Sequence, residues 1–191
     1  MKIIIGLGNP EKEYAGTRHN AGFFFADKIK TEWNFPEFEM NKKLNSEISE
    51  FIPSASAGSG QVERSQKIML AKPQTFMNLS GEAAKSILDF YKMTPDDIIV
   101  IHDDLDIEIG KYRVATDSSS AGHNGVENII EKLGTQKFKR IRIGIGQEQI
   151  DGAVVCKIDA HNYVLQKFSS EELEKIESLS PTILEELQKL L

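Results

Sequence analysis

The chain has 191 residues, 40% hydrophobic and 27% charged, which fits one globular domain over 1–191 and leaves no room for a second full one. No apolar run approaches the roughly 20 residues that span a bilayer, and the MKIII start is too short for a secretory apolar region, so no membrane partner is expected and the expected location is the cytoplasm. Cys156 is the single cysteine, which excludes an intrachain disulfide or a paired-cysteine zinc site, and the net charge of −6 argues at first against a nucleic-acid partner, whose phosphates favour a basic footprint.

Residues 2–7, KIIIGL, read as a short buried strand, because consecutive β-branched residues bounded by glycine suit a sheet covered on both faces. Ala21, Phe24, Phe25, Ile29 and Trp33 recur at helical spacing behind Asn20, a candidate N-cap. Residues 44–52 and 61–71 resemble two strands joined by a loop at Ser54 to Gly60. A helix is expected from Asn78 to Met93, a turn from Thr94 to Asp97, and a central strand from Ile98 to Ile101 capped by His102 to Asp106. Lys111 to Thr116 and Phe138 to Ile145 alternate as strands around a helix at Val126 to Leu133, and Ser170 to Leu191 reads as one or two amphipathic helices. Strands interspersed with helices predict an α/β fold, a three-layer sandwich with a mixed, mostly parallel central sheet flanked by helices. Such folds bind ligands at the carboxyl ends of their strands, where GLGNP and HDDLD fall.

The acidity is local. Residues 147–191 hold 4 basic and 9 acidic residues, so five of the six excess negatives lie there. Between Lys111 and Arg142, seven basic residues face Asp117, Glu127 and Glu131. A solvated mixed-charge surface accounts for such a run as readily as a phosphate site does.

Gly6 and Gly8 resemble the start of a dinucleotide fingerprint, but Glu11 stands where the third glycine belongs, so no nucleotide cofactor is expected. Asn9, held before Pro10, offers one donor and one acceptor at a strand end; an Asx turn is the plain alternative. His19 sits at the mouth of the first helix, whose positive end favours the neutral imidazole that a general base requires. Asp103, at the end of a buried strand, can fix a histidine's tautomer and stabilise its protonated form. A competing metal reading uses His102, Asp104 and Asp106, which share one face of an extended segment. Met77, Asn78 and Asn124 precede helices, where core filling and N-capping explain them equally well.

Taken together, GLGNP, TRHNAG, KPQTFMNLSG, HDDLD, GHNG and RIRIGIG, in this order, closely resemble bacterial-type peptidyl-tRNA hydrolase from Lys2 to about Phe168, with no family signal in the terminal helical segment. The resemblance implies a monomeric, metal-independent esterase without cofactor or obligate protein partner, which cleaves the bond joining a peptide to the 3′ end of tRNA. It implies His19 as general base, Asp103 as the carboxylate that stabilises its basic form, and Asn9 as the amide that distinguishes N-blocked from free aminoacyl-tRNA. It further implies that Tyr14, Phe76, Asn78 and Asn124, with Met77 beside them, contact the acceptor end and adjoining peptide, and that Arg142 takes the acceptor's terminal phosphate.

One departure stands out. The family's glycine-rich run before GHNG is replaced by DSSSA, and Ala115 stands where a strand lysine is usual, so phosphate grip from this strand rests on Lys111 or Arg113. Two other readings compete: an RNA-binding module without turnover, as in relatives recruited to intron splicing, and a metal-dependent hydrolase centred on HDDLD.

Overall fold

The structure, a computed structural model, describes residues 1–52, 66–146 and 159–191. The expected loop at Ser54 to Gly60, the first residues of the 61–71 strand and Cys156 lie outside them. The chain forms β1 (Lys2–Gly6), α1 (Ala21–Glu32), β2 (Glu39–Asn41), β3 (Ser46–Phe51), β4 (Ile68–Pro73), α2 (Ser80–Tyr91), β5 (Ile98–Glu108), β6 (Tyr112–Ala115), α3 (Asn124–Leu133), β7 (Lys139–Gly146), α4 (Ala160–Val164), α5 (Ser170–Glu177) and α6 (Ser180–Leu190). Seven strands join in the order β2-β3-β4-β1-β5-β7-β6. The central four, β4, β1, β5 and β7, run parallel, and antiparallel strands close both edges.

Alternation along β1 assigns the two faces. Ile4 packs with α1, α5 and α6 through Phe25, Ile29, Ile176, Ile183 and Leu187. Ile3 and Ile5 pack with α2 and α3 through Ala84, Ile87, Val126 and Ile129. All three isoleucines are fully buried, which is worth about 1.5–3 kcal/mol each. The sandwich is therefore three-layered, as expected from the sequence, and the terminal segment is two helices of its outer layer.

Two departures from the expected elements position the site. First, β5 does not stop at Ile101 with HDDLD as a cap; it runs through the acids to Glu108. Its partner β7 makes this possible, because Asp104 pairs with Gly144, and a Cβ there would come within 2.2 Å of the Glu108 carbonyl oxygen. Second, Asn20 does not cap α1 with its side chain. Its amide is used on Asn9 instead, while Gly22 lets α1 settle directly on the sheet, where a Cβ would meet the Ile101 carbonyl oxygen at 2.3 Å. That close approach brings the turn before α1 over the carboxyl end of β5.

Candidate active site

A cleft of about 690 Å³ opens at the carboxyl ends of β1 and β5. His19 occupies a 3-10 turn, Arg18–Asn20, just before α1, and Asp103 lies in β5. His19 Nδ1 lies 3.0 Å from each carboxylate oxygen of Asp103. Both side chains are buried. Since a carboxylate can only accept here, the ring proton sits on Nδ1, and among the described residues no hydrogen bond occupies Nε2.

His123 supplies the second hold on Asp103, with Nε2 2.9 Å from Oδ1. Its Nδ1 accepts the backbone N–H groups of Gly125 and Val126 at 3.1 and 3.2 Å, capping α3. Two donors on Nδ1 require the proton on Nε2, so neutral His123 donates to Asp103. His102, fully buried, donates from Nδ1 to the Asp103 carbonyl at 2.6 Å. Burial holds its pKa well below 6.5 and keeps it neutral.

These contacts set the charge state of the pair. Burial disfavours the His19 imidazolium, but the charge of Asp103 and its hydrogen bond outweigh that, so the His19 pKa lies above the ordinary 6.5. Burial would push Asp103 up, yet the two histidines beside it hold its carboxyl well below the usual carboxylate range. Asp103 is therefore ionised whenever His19 titrates.

Asn9 is oriented as tightly. Its backbone N–H donates to Asn20 Oδ1 at 2.9 Å and its carbonyl accepts from Asn20 Nδ2 at 3.0 Å. Its side-chain Oδ1 accepts the Met77 N–H at 2.8 Å. With Oδ1 engaged, the Asn9 Nδ2 group is left without a hydrogen bond among the described residues, and Asn9 lines the cleft. The Asx turn weighed from sequence is not what the side chain makes.

Tyr14, Phe76, Met77, Asn78 and Asn124 line the same cleft, so eight of the nine residues singled out from sequence come together. Asn78 falls inside a 3-10 turn, Met77–Leu79, and does not cap a helix. Asn124 is the first residue of α3, and His123 is its cap. Arg142 stands apart from the cleft lining: its Nε donates to Asp104 Oδ2 at 2.5 Å. Lys111 pairs with Glu108 at 2.6 Å, while Arg113 is exposed on the edge strand β6 without an ion pair among the described residues. The replaced glycine-rich run is held from below, where buried Arg140 donates to the carbonyls of Ser118 and Ser119.

The metal set weighed from sequence does not assemble. His102 is used on the Asp103 carbonyl, and Asp104 accepts the Asp106 N–H and Arg142. A different group, His19, Asp103 and His123, brings its ligand atoms within 4.8 Å. Those atoms already meet at hydrogen-bond distances, and an ion at 2.0–2.2 Å from each would have to displace the protons between them.

Sequence reasoning missed three contributors. His123 was in view within GHNG, one residue before the amide. Asn20, taken for a cap, holds Asn9. The helix α4 forms a cleft wall with Asp159, His161, Val164 and Leu165; the signal for it was Asp159, which caps α4 by accepting the His161 N–H.

The model of the family described as peptidyl-tRNA hydrolase matches residues 3–191, so the family signal extends through the terminal helices, beyond the Phe168 limit expected from sequence. A peptidyl-tRNA hydrolase of Brevibacillus brevis is 44% identical over 177 residues, 93% of this chain and 84% of that protein. One of Lachnoclostridium phytofermentans is 40% identical over 197 residues, 100% of this chain and 94% of that protein. The crystal structure of peptidyl-tRNA hydrolase from Acinetobacter baumannii superposes with a TM-score of 0.81 at 30% identity, covering 100% of this chain and 88% of that one.

Proposed function

The chain belongs to the peptidyl-tRNA hydrolase family and is an enzyme of that class, and on that premise we propose how its cleft cleaves the ester between a peptide and the 3′ end of tRNA. The observation that carries the reading is His19, with Nδ1 held on ionised Asp103 and Nε2 unpartnered among the described residues. Neutral His19 takes a proton from water at Nε2. The water oxygen attacks the ester carbonyl carbon, and Asp103 stabilises the imidazolium that forms. Collapse of the tetrahedral intermediate expels the ribose oxygen, which takes the proton back from His19. An ester's alkoxide leaves more readily than the nitrogen anion of an amide, so no nucleophilic serine is required.

The remaining roles follow from which atoms are left over. The free Nδ2 of Asn9 donates to the peptide's carbonyl oxygen or to the developing oxyanion. Uncharged Asn78 and Asn124 bind peptide amides without disturbing the His19 pKa, with Met77, Phe76 and Tyr14 forming the apolar flank. Arg142 joins the contact with the acceptor's phosphate only by sharing its charge with Asp104; Arg113 is the less encumbered cation. The reading takes residues 1–191 as one domain that acts as a monomer in the cytoplasm on the acceptor end of the tRNA. No helix among the described residues is long and apolar enough to cross a membrane.

The test is release of peptide from N-blocked aminoacyl-tRNA by wild type beside His19→Ala. The variant is expected to lose roughly 10²–10⁴-fold in kcat, with wild-type activity undiminished in EDTA. Full rate in His19→Ala overturns the general-base role, and loss of wild-type activity in EDTA restores the metal reading of the His19, Asp103 and His123 cluster.

A further inference from the structure

The turn that carries His19 has no cap of its own: the Thr17 side chain makes no capping bond to it and donates instead to the Tyr14 carbonyl. Three successive side chains hold it from outside. His19 goes to Asp103 and Asn20 to Asn9, both within the cleft. Arg18 points the opposite way, toward the C-terminal helices, and plays no part in the chemistry above.

Arg18 is only 6% exposed. Its Nη2 donates to both carboxylate oxygens of Glu172 at 2.8 and 2.7 Å, and Nη1 donates to the Lys167 carbonyl at 3.2 Å. The guanidinium lies 4.3 Å from the ring centre of Tyr163 in α4 and 5.7 Å from that of Phe168. Glu172 is itself fixed, since it completes the capping box of α5 by accepting the Ser169 N–H at 2.8 Å. Around this guanidinium the backbones are stitched by an antiparallel bridge between Thr17 and Lys167, with Arg18 N–H on the Gln166 carbonyl at 3.0 Å and Phe168 N–H on the Gly16 carbonyl at 3.1 Å.

We infer that Arg18, through Glu172, is a positioning residue for the hydrolysis: it sets the rotation of the His19 turn and its distance from the α4 wall of the cleft. One terminal nitrogen held by both oxygens of a fixed carboxylate, with the other on the Lys167 carbonyl, sets the orientation and distance of the guanidinium, which an apolar contact does not. A buried pair is a poor source of net stability, since desolvation offsets most of the attraction, and among the described residues the Arg18 Nε has no hydrogen-bond partner. Geometry is what the arrangement supplies. One guanidinium touches the base-bearing turn, the cleft wall and the first turn of α5, so an error there moves His19 Nε2 against the ester.

The inference rests on His19 as the base, and the experiment separates the two. Wild type, His19→Ala, Arg18→Met, Arg18→Lys and Glu172→Gln are compared for kcat and KM on N-blocked aminoacyl-tRNA, with Tm and the His19 ring resonances recorded for each. Arg18→Met is expected to lower kcat about tenfold, because misplacement of a reacting group by a fraction of an ångström costs rate steeply. Its KM stays within about twofold, and its His19 resonances shift. Arg18→Lys, whose ammonium can meet Glu172 but does not reproduce the guanidinium plane that also reaches the Lys167 carbonyl, recovers only part of the rate, and Glu172→Gln lowers it less than Arg18→Met. The acid limb of the pH profile does not move, because Asp103 is untouched. Wild-type kcat in folded Arg18→Met, or a lower Tm with unshifted His19 resonances, overturns the positioning role. Should Arg18→Met not fold, the same readings on Glu172→Gln decide. Full rate in His19→Ala overturns the underlying reading instead.

Discussion

Two regions at the carboxyl ends of the sheet use polar groups in opposite ways. Around Asp103 the neighbours are engaged with one another and two cleft-lining groups stay free among the described residues: His123 caps α3 and donates to the carboxylate, His102 holds the Asp103 backbone through Nδ1, Asn20 holds Asn9, and His19 Nε2 and Asn9 Nδ2 are left over. Along β6 and β7 most of the cations are themselves engaged, Arg113 excepted. Arg140 is buried on the carbonyls of Ser118 and Ser119, Arg142 lies on Asp104, and Lys111 on Glu108. A polar atom is left available to a cleft when the groups around it are engaged with one another, whereas a cation that satisfies its own protein has less charge left for a phosphate.

The largest way to break this contrast is to unhold the base. Asp103→Asn removes the charge that raises the His19 pKa and leaves burial, which lowers it. We expect kcat/KM to fall roughly 10²–10⁴-fold. In wild type the required neutral form is lost as pH falls through a pKa above 6.5, so the acid limb of the rate profile lies above histidine's ordinary value. In Asp103→Asn that limb moves to lower pH. A limb that stays in place in the variant means that some other group titrates. The same raised pKa means that protonated His19 stabilises the folded state at low pH, a contribution lost as pH rises through the folded pKa.

A smaller effect is expected at His123, which serves both the carboxylate and the α3 terminus. His123→Ala loses the cap, worth about 0.5–2 kcal/mol, and one of the two histidine donors to Asp103. Denaturant unfolding should show the stability loss, and the rate should fall by about tenfold, well short of Asp103→Asn. A rate loss equal to that of Asp103→Asn places His123 in the chemistry itself.

The smallest effect sharpens the basic side. With most cations engaged internally, the salt dependence of tRNA affinity should be shallow, and Arg113→Ala should reduce the magnitude of the log–log slope by about 1. Arg142→Ala should change the slope less, because its charge is already shared with Asp104. A steep slope, of six phosphate contacts or more, contradicts the whole contrast.

Much of this was legible in the residues. The isoleucine run of β1, the spacing of α1 and the alternation of β7 are local signals, and they place GLGNP, TRHN and HDDLD at one end of a sheet. His19 and Asp103 were readable as a candidate pair because their chemistry is carried by residue type, whereas the three amides, explained as well by a turn and by caps, were singled out by the resemblance to the family. Other contributors were hidden because a local role explained them. Asn20 resembled a cap, Arg142 a free cation, and HDDLD a strand terminus.

The sequence by itself determined the class of fold and the family, and pointed to the His19–Asp103 pair proposed for the chemistry, since hydrophobic period and residue chemistry are properties of the chain. Only the tertiary structure decided which polar groups are already engaged. Hydrogen bonds such as His123 to Asp103, Asn9 to Met77 and Arg18 to Glu172 join residues 20, 68 and 154 positions apart. No local pattern encodes such a distance, and it is these bonds that leave Nε2 of His19 and Nδ2 of Asn9 free in the cleft.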